Sequence, residues 1–197
     1  VGCDLITAWL APKFLKHEKD SGSIVFDLRS SHAVAKSIAS AGGKSVRSRV
    51  GHVFMKQAMA EHDAPFGGEL SGHFYFRDNF YADSGAMAFA AVVSAIAGSE
   101  RTMSSQIAPH RSYCQSGEIN FETSDKDQAM AKLVSAYPDA EADRLDGVTV
   151  DCGVWWCNVR GSNTEPLLRL NLEASTEEEV LARVDEVSQF LGTRVDH

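Results

Sequence analysis

The chain has 197 residues, of which 44% are hydrophobic and 23% are charged, and its formal net charge is −8 at pH 7. These values are typical of a globular protein with one large domain or two small ones, so disorder is not the default expectation. Non-specific phosphate binding needs clustered Lys and Arg, and no basic run occurs, so the composition argues against a nucleic-acid partner, and we expect none. A single anionic ligand in a local arginine pocket remains compatible with this charge.

The first half of the chain alternates helix-like and strand-like segments. Asp4 is placed to cap a first helix, and the apolar run 24–28 is typical of a strand that is covered on both faces. Further segments follow in this order: a helix from Ser31 to Ala41, a short strand near 45–47, a helix at 53–62, and an Ala-rich helix at 85–97 that Asp83 and Ser84 cap. This alternation predicts a three-layer α/β domain over residues 1–110. In such domains ligands bind beyond the carboxyl ends of the strands.

The second half has a different pattern, and we place the domain boundary between residues 110 and 111. Its predicted elements are a strand at 118–122, a helix at 125–137, a hairpin around Asp146-Gly147, strands at 155–159 and 168–172, and a last helix with a capping box at Thr176 and Glu179. Strands with helices on one side predict a smaller α+β domain over residues 111–197.

Cysteine usage and hydropathy bear on the compartment. The four cysteines form no Cys-x-x-Cys pair and have no histidine at zinc-site spacing, so we expect buried free thiols and no metal site in this chain. No apolar run reaches the ~18 residues of a membrane span, and the N-terminus lacks a signal pattern. We therefore expect a cytoplasmic protein without a membrane partner. Because the chain begins without Met at a helix-like segment, we also expect it to be a fragment of a longer protein.

The stretch Gly67-Gly68-Glu69-Leu70-Ser71-Gly72-His73 combines a carboxylate, a hydroxyl and an imidazole with three glycines. Its glycine spacing matches a Walker A loop, but His73 and Phe74 stand where that loop needs Lys and then Ser or Thr. This argues against nucleoside triphosphate binding. Glu69, Ser71 and His73 suit the hydroxyls of a polyol. The alternative is a Gly-rich turn whose polar groups satisfy one another.

A second polar stretch, Arg160-Gly161-Ser162-Asn163-Thr164-Glu165-Pro166, lies between two predicted strands. The Arg160 guanidinium, with the short side chains and backbone N–H groups that follow it, is suited to hold a phosphate. A plain turn rich in Ser and Asn is the alternative. Together the two stretches point to a phosphorylated sugar.

Arg29 and His52 each lie where a strand or turn gives way to a helix. Taken alone, Arg29 is typical of a solvated charge and His52 of a helix-start residue. Their positions would nevertheless let both face one crevice with the Gly-rich stretch.

These motifs resemble the α-D-phosphohexomutase family, and in particular its phosphomannomutase/phosphoglucomutase branch. Residues 68–73, followed by 74–76 and 82–85, resemble the family's sugar-binding loop, and residues 160–166 resemble its phosphate-binding loop. The resemblance covers essentially the whole chain. It implies the third and fourth of the family's four domains, the fourth being a TATA-binding-protein-like α+β module.

The resemblance also implies a role for each candidate residue. Glu69 and Ser71 would bind sugar hydroxyls, and His73 would bind sugar and act as a candidate general acid or base. The non-reacting phosphate would be held by Arg160, Ser162, Asn163 and Thr164. His52 and Arg29 would complete the contact set, although the family usually has Lys at the position of Arg29, and Arg keeps the charge with a different geometry.

Two family loops do not occur in the 197 residues. These are the active-site serine loop of the Thr-Ala-Ser-His-Asn-Pro type and the magnesium loop Asp-Gly-Asp-x-Asp-Arg. The resemblance implies that both lie upstream, in N-terminal domains that would be this chain's partners. The intact enzyme would interconvert hexose 1-phosphate and 6-phosphate through a phosphoserine, with Mg²⁺ as cofactor and a hexose 1,6-bisphosphate as intermediate and activator. The chain alone is expected to be inactive.

Three alternatives stay open at this point. Within the family the nearest is a phosphoglucosamine mutase fragment, in which the residue at Leu70 is typically Gln and the aromatic run 74–76 is usually lacking. The second is a non-catalytic module that binds a sugar phosphate. The third is a structural α/β protein without a ligand.

Overall fold

The computed structural model describes residues 1–162 and 165–195. The chain divides into two compact units, Val1–Ser112 and Tyr113–His197, which we call the N-terminal and the C-terminal unit. This division lies two residues beyond the 110/111 boundary expected from the sequence.

The N-terminal unit is an α/β domain with a mixed sheet. Its helices are α1 (Cys3–Leu15), α2 (His32–Ser40), α3 (His52–Glu61), α4 (Gly85–Ala97) and α5 (Met103–Ile107). Its strands are β1 (Ser23–Asp27), β2 (Lys44–Ser48), β3 (Phe66–Gly68), β4 (Phe74–Phe76) and β5 (Ala82–Asp83). The strand order is β2-β1-β3-β4-β5. β1 is parallel to β2 and β3, whereas β4 is antiparallel to both of its neighbours.

Helices cover both faces of this sheet because the side chains of β1 alternate between two apolar clusters. Ile24 and Phe26 belong to the cluster that includes α1, and Val25 belongs to the cluster with Met55 and Met59 of α3. The two methionines are fully buried, as their helical spacing predicts. The expected three-layer α/β class is confirmed.

Gly68 allows α1 to approach the sheet closely. A Cβ atom at this position would overlap the side chain of Thr7. The packing of α1 therefore explains the glycine at position 68, and no phosphate-binding Walker loop is needed to account for it.

Several helix ends match the sequence predictions. Ser31 caps α2 by accepting a 3.1 Å hydrogen bond from Ala33 N, and Ser84 caps α4 by accepting one of 3.2 Å from Met87 N. The prediction that Asp4 caps α1 is wrong, because that helix already begins at Cys3. The Asp4 carboxylate instead accepts hydrogen bonds from Leu5 N at 2.8 Å and from Ser31 N at 3.1 Å, and so joins α1 to the start of α2.

The C-terminal unit is an α+β domain, as predicted. Its helices are α6 (Lys126–Ala136) and α7 (Glu177–Leu191). Its strands are β6 (Cys114–Glu122), β7 (Glu141–Asp143), β8 (Val148–Asp151), β9 (Trp155–Gly161), β10 (Leu167–Ala174) and β11 (Thr193–Val195). All neighbours in the sheet, ordered β11-β6-β10-β9-β8-β7, are antiparallel. Leu133 of α6 and Val184 of α7 pack in one core cluster with Val159 and Leu170 of the sheet.

All four cysteines are free thiols, as expected. Only Cys157 is buried, and burial raises its pKa; Cys3, Cys114 and Cys152 are partly exposed, so the expectation of buried thiols holds for one of the four. In the described part of the chain, every helix is too short or too polar to cross a membrane.

Candidate functional site

The residues singled out in the N-terminal half lie at the edge of the sheet where the parallel strands end. We call it the carboxyl edge. Arg29 follows β1, Glu69 follows β3, and His52 begins α3 after β2. β4 runs in the opposite direction, so His73, which precedes it, lies at the same edge. Asp83 ends β5 and joins them there.

Asp27 fixes Arg29 at the end of β1. The Arg29 guanidinium donates to Asp27 Oδ1 from Nε at 3.1 Å and to Oδ2 from Nη2 at 2.9 Å. The Asp27 side chain is fully buried and that of Arg29 is 9% exposed. The interpretation of Arg29 as a solvated charge is therefore wrong. Asp27 Oδ2 also accepts a 2.7 Å bond from Leu70 N, so one buried carboxylate holds both the arginine and the Gly-rich turn.

The Glu69 carboxylate lies within the protein, with a residue exposure of 2%. Its Oε1 accepts a 2.9 Å hydrogen bond from Gly51 N, and its Oε2 accepts one of 2.6 Å from the Tyr75 hydroxyl. Burial, and then the bond to Glu69, raise the pKa of Tyr75, so the hydroxyl is the donor. Glu69 therefore ties β4 to the residue before His52. An ionised carboxylate has about four acceptor sites, so acceptor capacity for a ligand remains.

The Gly-rich stretch forms a tight turn after β3. Glu69 N donates to His73 O at 2.9 Å, and Gly72 N donates to Glu69 O at 3.0 Å. Gly72 has φ 94°, a conformation that strongly favours glycine. Ser71 lies in this turn and is exposed. Its side chain is therefore accessible, as is that of His73 two residues later, which is 44% exposed.

Asp83 lies between two histidines. Its Oδ1 is 3.3 Å from His52 Nδ1, and its Oδ2 is 3.2 Å from His73 Nδ1. The two imidazole rings meet edge to face with centroids 4.5 Å apart. Burial alone would raise the pKa of Asp83, but the hydrogen bond from His73 and the proximity of His52 outweigh it, so this pKa is lowered. Sequence reasoning treated Asp83 only as a helix cap and part of a motif, and missed this contact.

In the C-terminal unit, two arginines share one glutamate. Arg160 of β9 lies directly opposite Arg169 of β10. Glu118 accepts a 3.1 Å bond from Arg160 Nη2 through Oε2 and another of 3.1 Å from Arg169 Nη1 through Oε1. The Arg160 side chain is 8% exposed, so its charge is held in place.

The loop after Arg160 is tied to the start of α6. Lys126 Nζ donates to Ser162 O at 3.3 Å and to Glu165 O at 3.0 Å, while Ser162 N donates to Leu167 O at 2.8 Å. Asn163 and Thr164, which were also predicted to bind the phosphate, lie outside the described residues. The sequence did not predict Lys126 or Arg169 at this site. Lys126 lies far from the loop in sequence, and Arg169 looked like an ordinary exposed residue of an alternating strand.

Three cationic side chains lie at this loop region. Arg160 and Arg169 bond to the carboxylate of Glu118, Arg169 also bonds to that of Glu165 at 3.2 Å, and Lys126 bonds to backbone carbonyls. An anion with several oxygens, such as a phosphate, can exchange for part of these internal contacts. The arrangement supports the predicted kind of ligand.

An α/β domain with polar groups at its carboxyl edge is followed by an α+β domain with Arg160 near the end of β9, which is the domain order that the phosphohexomutase resemblance predicts. Residues 3–113 match the family model described as phosphoglucomutase/phosphomannomutase, alpha/beta/alpha domain III. Residues 118–189 match the one described as phosphoglucomutase/phosphomannomutase, C-terminal domain. The chain belongs to the phosphoglucomutase/phosphomannomutase family, and the resemblance seen in its motifs is confirmed.

Individual proteins agree with the family models. The chain is 41% identical over 189 residues to a phosphomannomutase of Methanocaldococcus jannaschii, an alignment that covers 96% of this chain and 42% of that protein. A phosphoglucomutase/phosphomannomutase family protein of Burkholderia thailandensis superposes with a TM-score of 0.81 at 22% identity, over 96% of this chain and 41% of the other. An N-acetylphosphoglucosamine mutase of Aspergillus fumigatus, solved with GlcNAc-6P and magnesium, superposes with a TM-score of 0.72 at 14% identity, over 96% and 43%. The chain thus spans about two fifths of the length of its curated relatives.

Proposed function

We propose that this chain is the ligand-binding C-terminal part of a phosphomannomutase/phosphoglucomutase. Such an enzyme is a cytoplasmic isomerase of carbohydrate metabolism that interconverts hexose 1-phosphate and hexose 6-phosphate. The observation that carries the proposal is the meeting of His52, His73 and Asp83 at the carboxyl edge, beside the turn that contains Ser71, where family membership leads one to expect the sugar.

At the carboxyl edge, Ser71 and His73 contact the sugar hydroxyls in this proposal. Asp83 accepts from His73 Nδ1, which favours the tautomer with the ring proton on that atom. The other ring nitrogen, Nε2, is then available to take a proton from a hydroxyl, which is what a general base requires. His52 is held by the same carboxylate and completes the polar surface.

Arg29 and Glu69 have different roles from these exposed groups. Arg29 is fixed by Asp27 and supplies positive charge at the edge. Glu69 retains acceptor capacity for a sugar hydroxyl, but its burial means that such a contact needs a small movement of the turn at 69–72. Both residues therefore belong to the proposed set of ligand contacts.

The C-terminal unit binds the phosphate that does not react. Arg160 is held by Glu118 and is ready to exchange one internal bond for a phosphate oxygen. Ser162, together with Asn163 and Thr164, supplies the remaining donors. Lys126, whose ammonium already bonds two carbonyls of the loop, adds charge next to it.

The phosphoryl-transfer groups are assigned to the rest of the protein. A phosphoserine would donate its phosphoryl group to the hexose phosphate, the bisphosphate would reorient, and the serine would recover the other phosphoryl group. Phosphoryl transfer depends on positioning and on neutralising charge, which Mg²⁺ supplies in this class of chemistry. The carboxylates and hydroxyls described above carry out positioning, and no magnesium ligand is assigned to them.

Leu70 and the aromatic run 74–76 favour a phosphomannomutase/phosphoglucomutase over a phosphoglucosamine mutase. Phe74, Tyr75 and Phe76 form β4 and are all buried, so their aromatic character belongs to the core next to the site. Comparing turnover of mannose, glucose and glucosamine phosphates by the full-length protein decides between these substrates.

The experiment that tests the proposal compares two proteins. The 197 residues alone should show no mutase turnover, and a version extended through the upstream gene sequence should show it with Mg²⁺ and a catalytic amount of hexose 1,6-bisphosphate. Turnover by the isolated chain would overturn the assignment of the transfer groups. An extended protein that binds hexose phosphates without turnover would instead support a non-catalytic binding module.

A further inference from the structure

We propose that His52, His73 and Asp83 form a binding site for one late first-row divalent metal ion, with Zn²⁺ as the ion expected to bind. The three residues offer two imidazole nitrogens and a carboxylate, and one ligand atom from each lies within 4.8 Å of the others. This inference does not depend on the proposed function, because it concerns an ion that the isolated chain binds by itself.

The distances in the cluster are close to those of a metal centre. Zinc bonds to nitrogen and oxygen are about 2.0–2.2 Å long, so two ligands of a tetrahedral ion are about 3.4 Å apart. His52 Nδ1 lies 3.3 Å from Asp83 Oδ1 and His73 Nδ1 lies 3.2 Å from Asp83 Oδ2, so each imidazole faces its own carboxylate oxygen. A single ion therefore requires either both oxygens of Asp83 or a rotation of the carboxylate, together with a closer approach of the two imidazoles. Their side chains are 51% and 44% exposed, so the rings have room to rotate.

The backbone that carries the three residues is well fixed. Asp83 pairs with Tyr75 across β4 and β5, and the side-chain amide of Asn79 donates to the carbonyls of Ala82 and Asp83. The His52 ring packs edge to face on Tyr75, with centroids 5.6 Å apart. These contacts fix the backbone at Asp83, so ion binding requires reorientation of side chains only.

The donor set selects the kind of ion. Imidazole suits zinc, copper, nickel and iron, whereas Mg²⁺ and Ca²⁺ require oxygen ligands. Three protein ligands leave a position on the ion open to water or to an anion. The ion would occupy Nδ1 of both histidines and leave the ring proton on Nε2, which removes the base proposed for His73. Zinc should therefore compete with hexose phosphate at the carboxyl edge.

The test is calorimetric titration of the purified chain with zinc chloride. We expect one ion per chain, and at least about tenfold weaker binding for each of His52→Gln, His73→Gln and Asp83→Asn. The matched controls are His62→Gln and Asp78→Asn, which change exposed residues of the same unit outside the cluster. They should bind zinc like the unchanged chain.

Nitrogen NMR of the histidine side chains provides a second measurement that needs no variant. Zinc should shift the Nδ1 signals of His52 and His73 alone and leave the ring proton on Nε2. Coordination through other histidines, or equal affinity in all variants, would overturn the proposal. Cys3 lies near the turn, since a Cβ on Gly72 would be 3.2 Å from its sulfur. Unchanged binding in Cys3→Ser supports the two-histidine site, and loss of binding there overturns it.

Discussion

The Tyr75 hydroxyl donates a 2.6 Å hydrogen bond to Oε2 of Glu69, and both residues are almost completely inaccessible to solvent. This bond lies directly behind the exposed histidines of the carboxyl edge. Because Glu69 also accepts from Gly51 N, it couples the Gly-rich turn, the start of α3 and β4. The exposed part of the candidate site thus rests on a buried polar network.

Replacing Tyr75 with Phe tests this network. The change leaves a buried carboxylate oxygen without its donor and should lower the free energy of unfolding by about 1–3 kcal/mol. Tyr81→Phe is the matched control, because its hydroxyl bonds to the exposed Asp63, and it should cost less than about 0.5 kcal/mol. Urea unfolding of the two variants measures the difference. Equal losses of unfolding free energy in the two variants would show that the buried hydrogen bond contributes no more to stability than the exposed one.

Asp27→Asn tests the anchor of Arg29. It removes the negative charge to which the buried Arg29 guanidinium donates two hydrogen bonds, which should destabilise the protein by about 3–5 kcal/mol. Asp78→Asn, at an exposed position, should have little effect. Thermal unfolding of the two proteins gives the comparison, and a stable Asp27→Asn protein would contradict the role of this ion pair.

Local patterns predicted much of the fold. The cap at Ser31 and the bounds of α4 depend on residues close in sequence, and both are confirmed. The antiparallel β4 and β5 were not predicted as strands, and neither was β11. Each has only two or three residues, which is too short for a periodic pattern.

The candidate site was predicted in its chemistry but not in its pairings. His52 and His73 were named as ligand contacts, yet the carboxylate between them was not, because spacing does not reveal which side chains meet across a sheet. The bond from Leu70 to Asp27 spans 43 residues, and that from Arg160 to Glu118 spans 42. Such contacts are set by strand order and register, which the motifs do not specify.

Lys126→Met should weaken binding of hexose phosphate by about tenfold to a hundredfold, because a charge-assisted contact is worth about 1.5–3 kcal/mol. Its ammonium lies at the candidate phosphate loop, where it bonds the carbonyls of Ser162 and Glu165. Lys132→Met removes an exposed lysine of the same helix and serves as the control. Calorimetry measures the affinity of the two variants for hexose phosphate. The same affinity in both would exclude Lys126 from the site.

Tyr137→Phe should destabilise the C-terminal unit in a pH-dependent way. The Tyr137 hydroxyl donates to Glu186 at 2.8 Å, and this bond is the main cause of the lowered pKa of Glu186. A lowered pKa in the folded state adds stability above the ordinary value of 4.5, and this contribution is lost as the pH falls through the folded-state pKa. The cost of the substitution should therefore be larger near neutral pH than in acid. The free energy of unfolding of both proteins, measured near neutral pH and in acid below the pKa of Glu186, checks this. A larger cost of the substitution in acid would contradict it.

Calorimetric titration of the chain with mannose 6-phosphate and glucose 6-phosphate, and with inorganic phosphate in parallel, is the most direct test that this chain binds a sugar phosphate. We expect the sugar phosphate to bind, Ser71→Ala to weaken its binding but not that of inorganic phosphate, and Arg160→Ala to weaken both. Circular dichroism establishes that each variant is folded. Failure of the unchanged chain to bind mannose and glucose phosphates, or affinities that neither substitution alters, would contradict the proposed function.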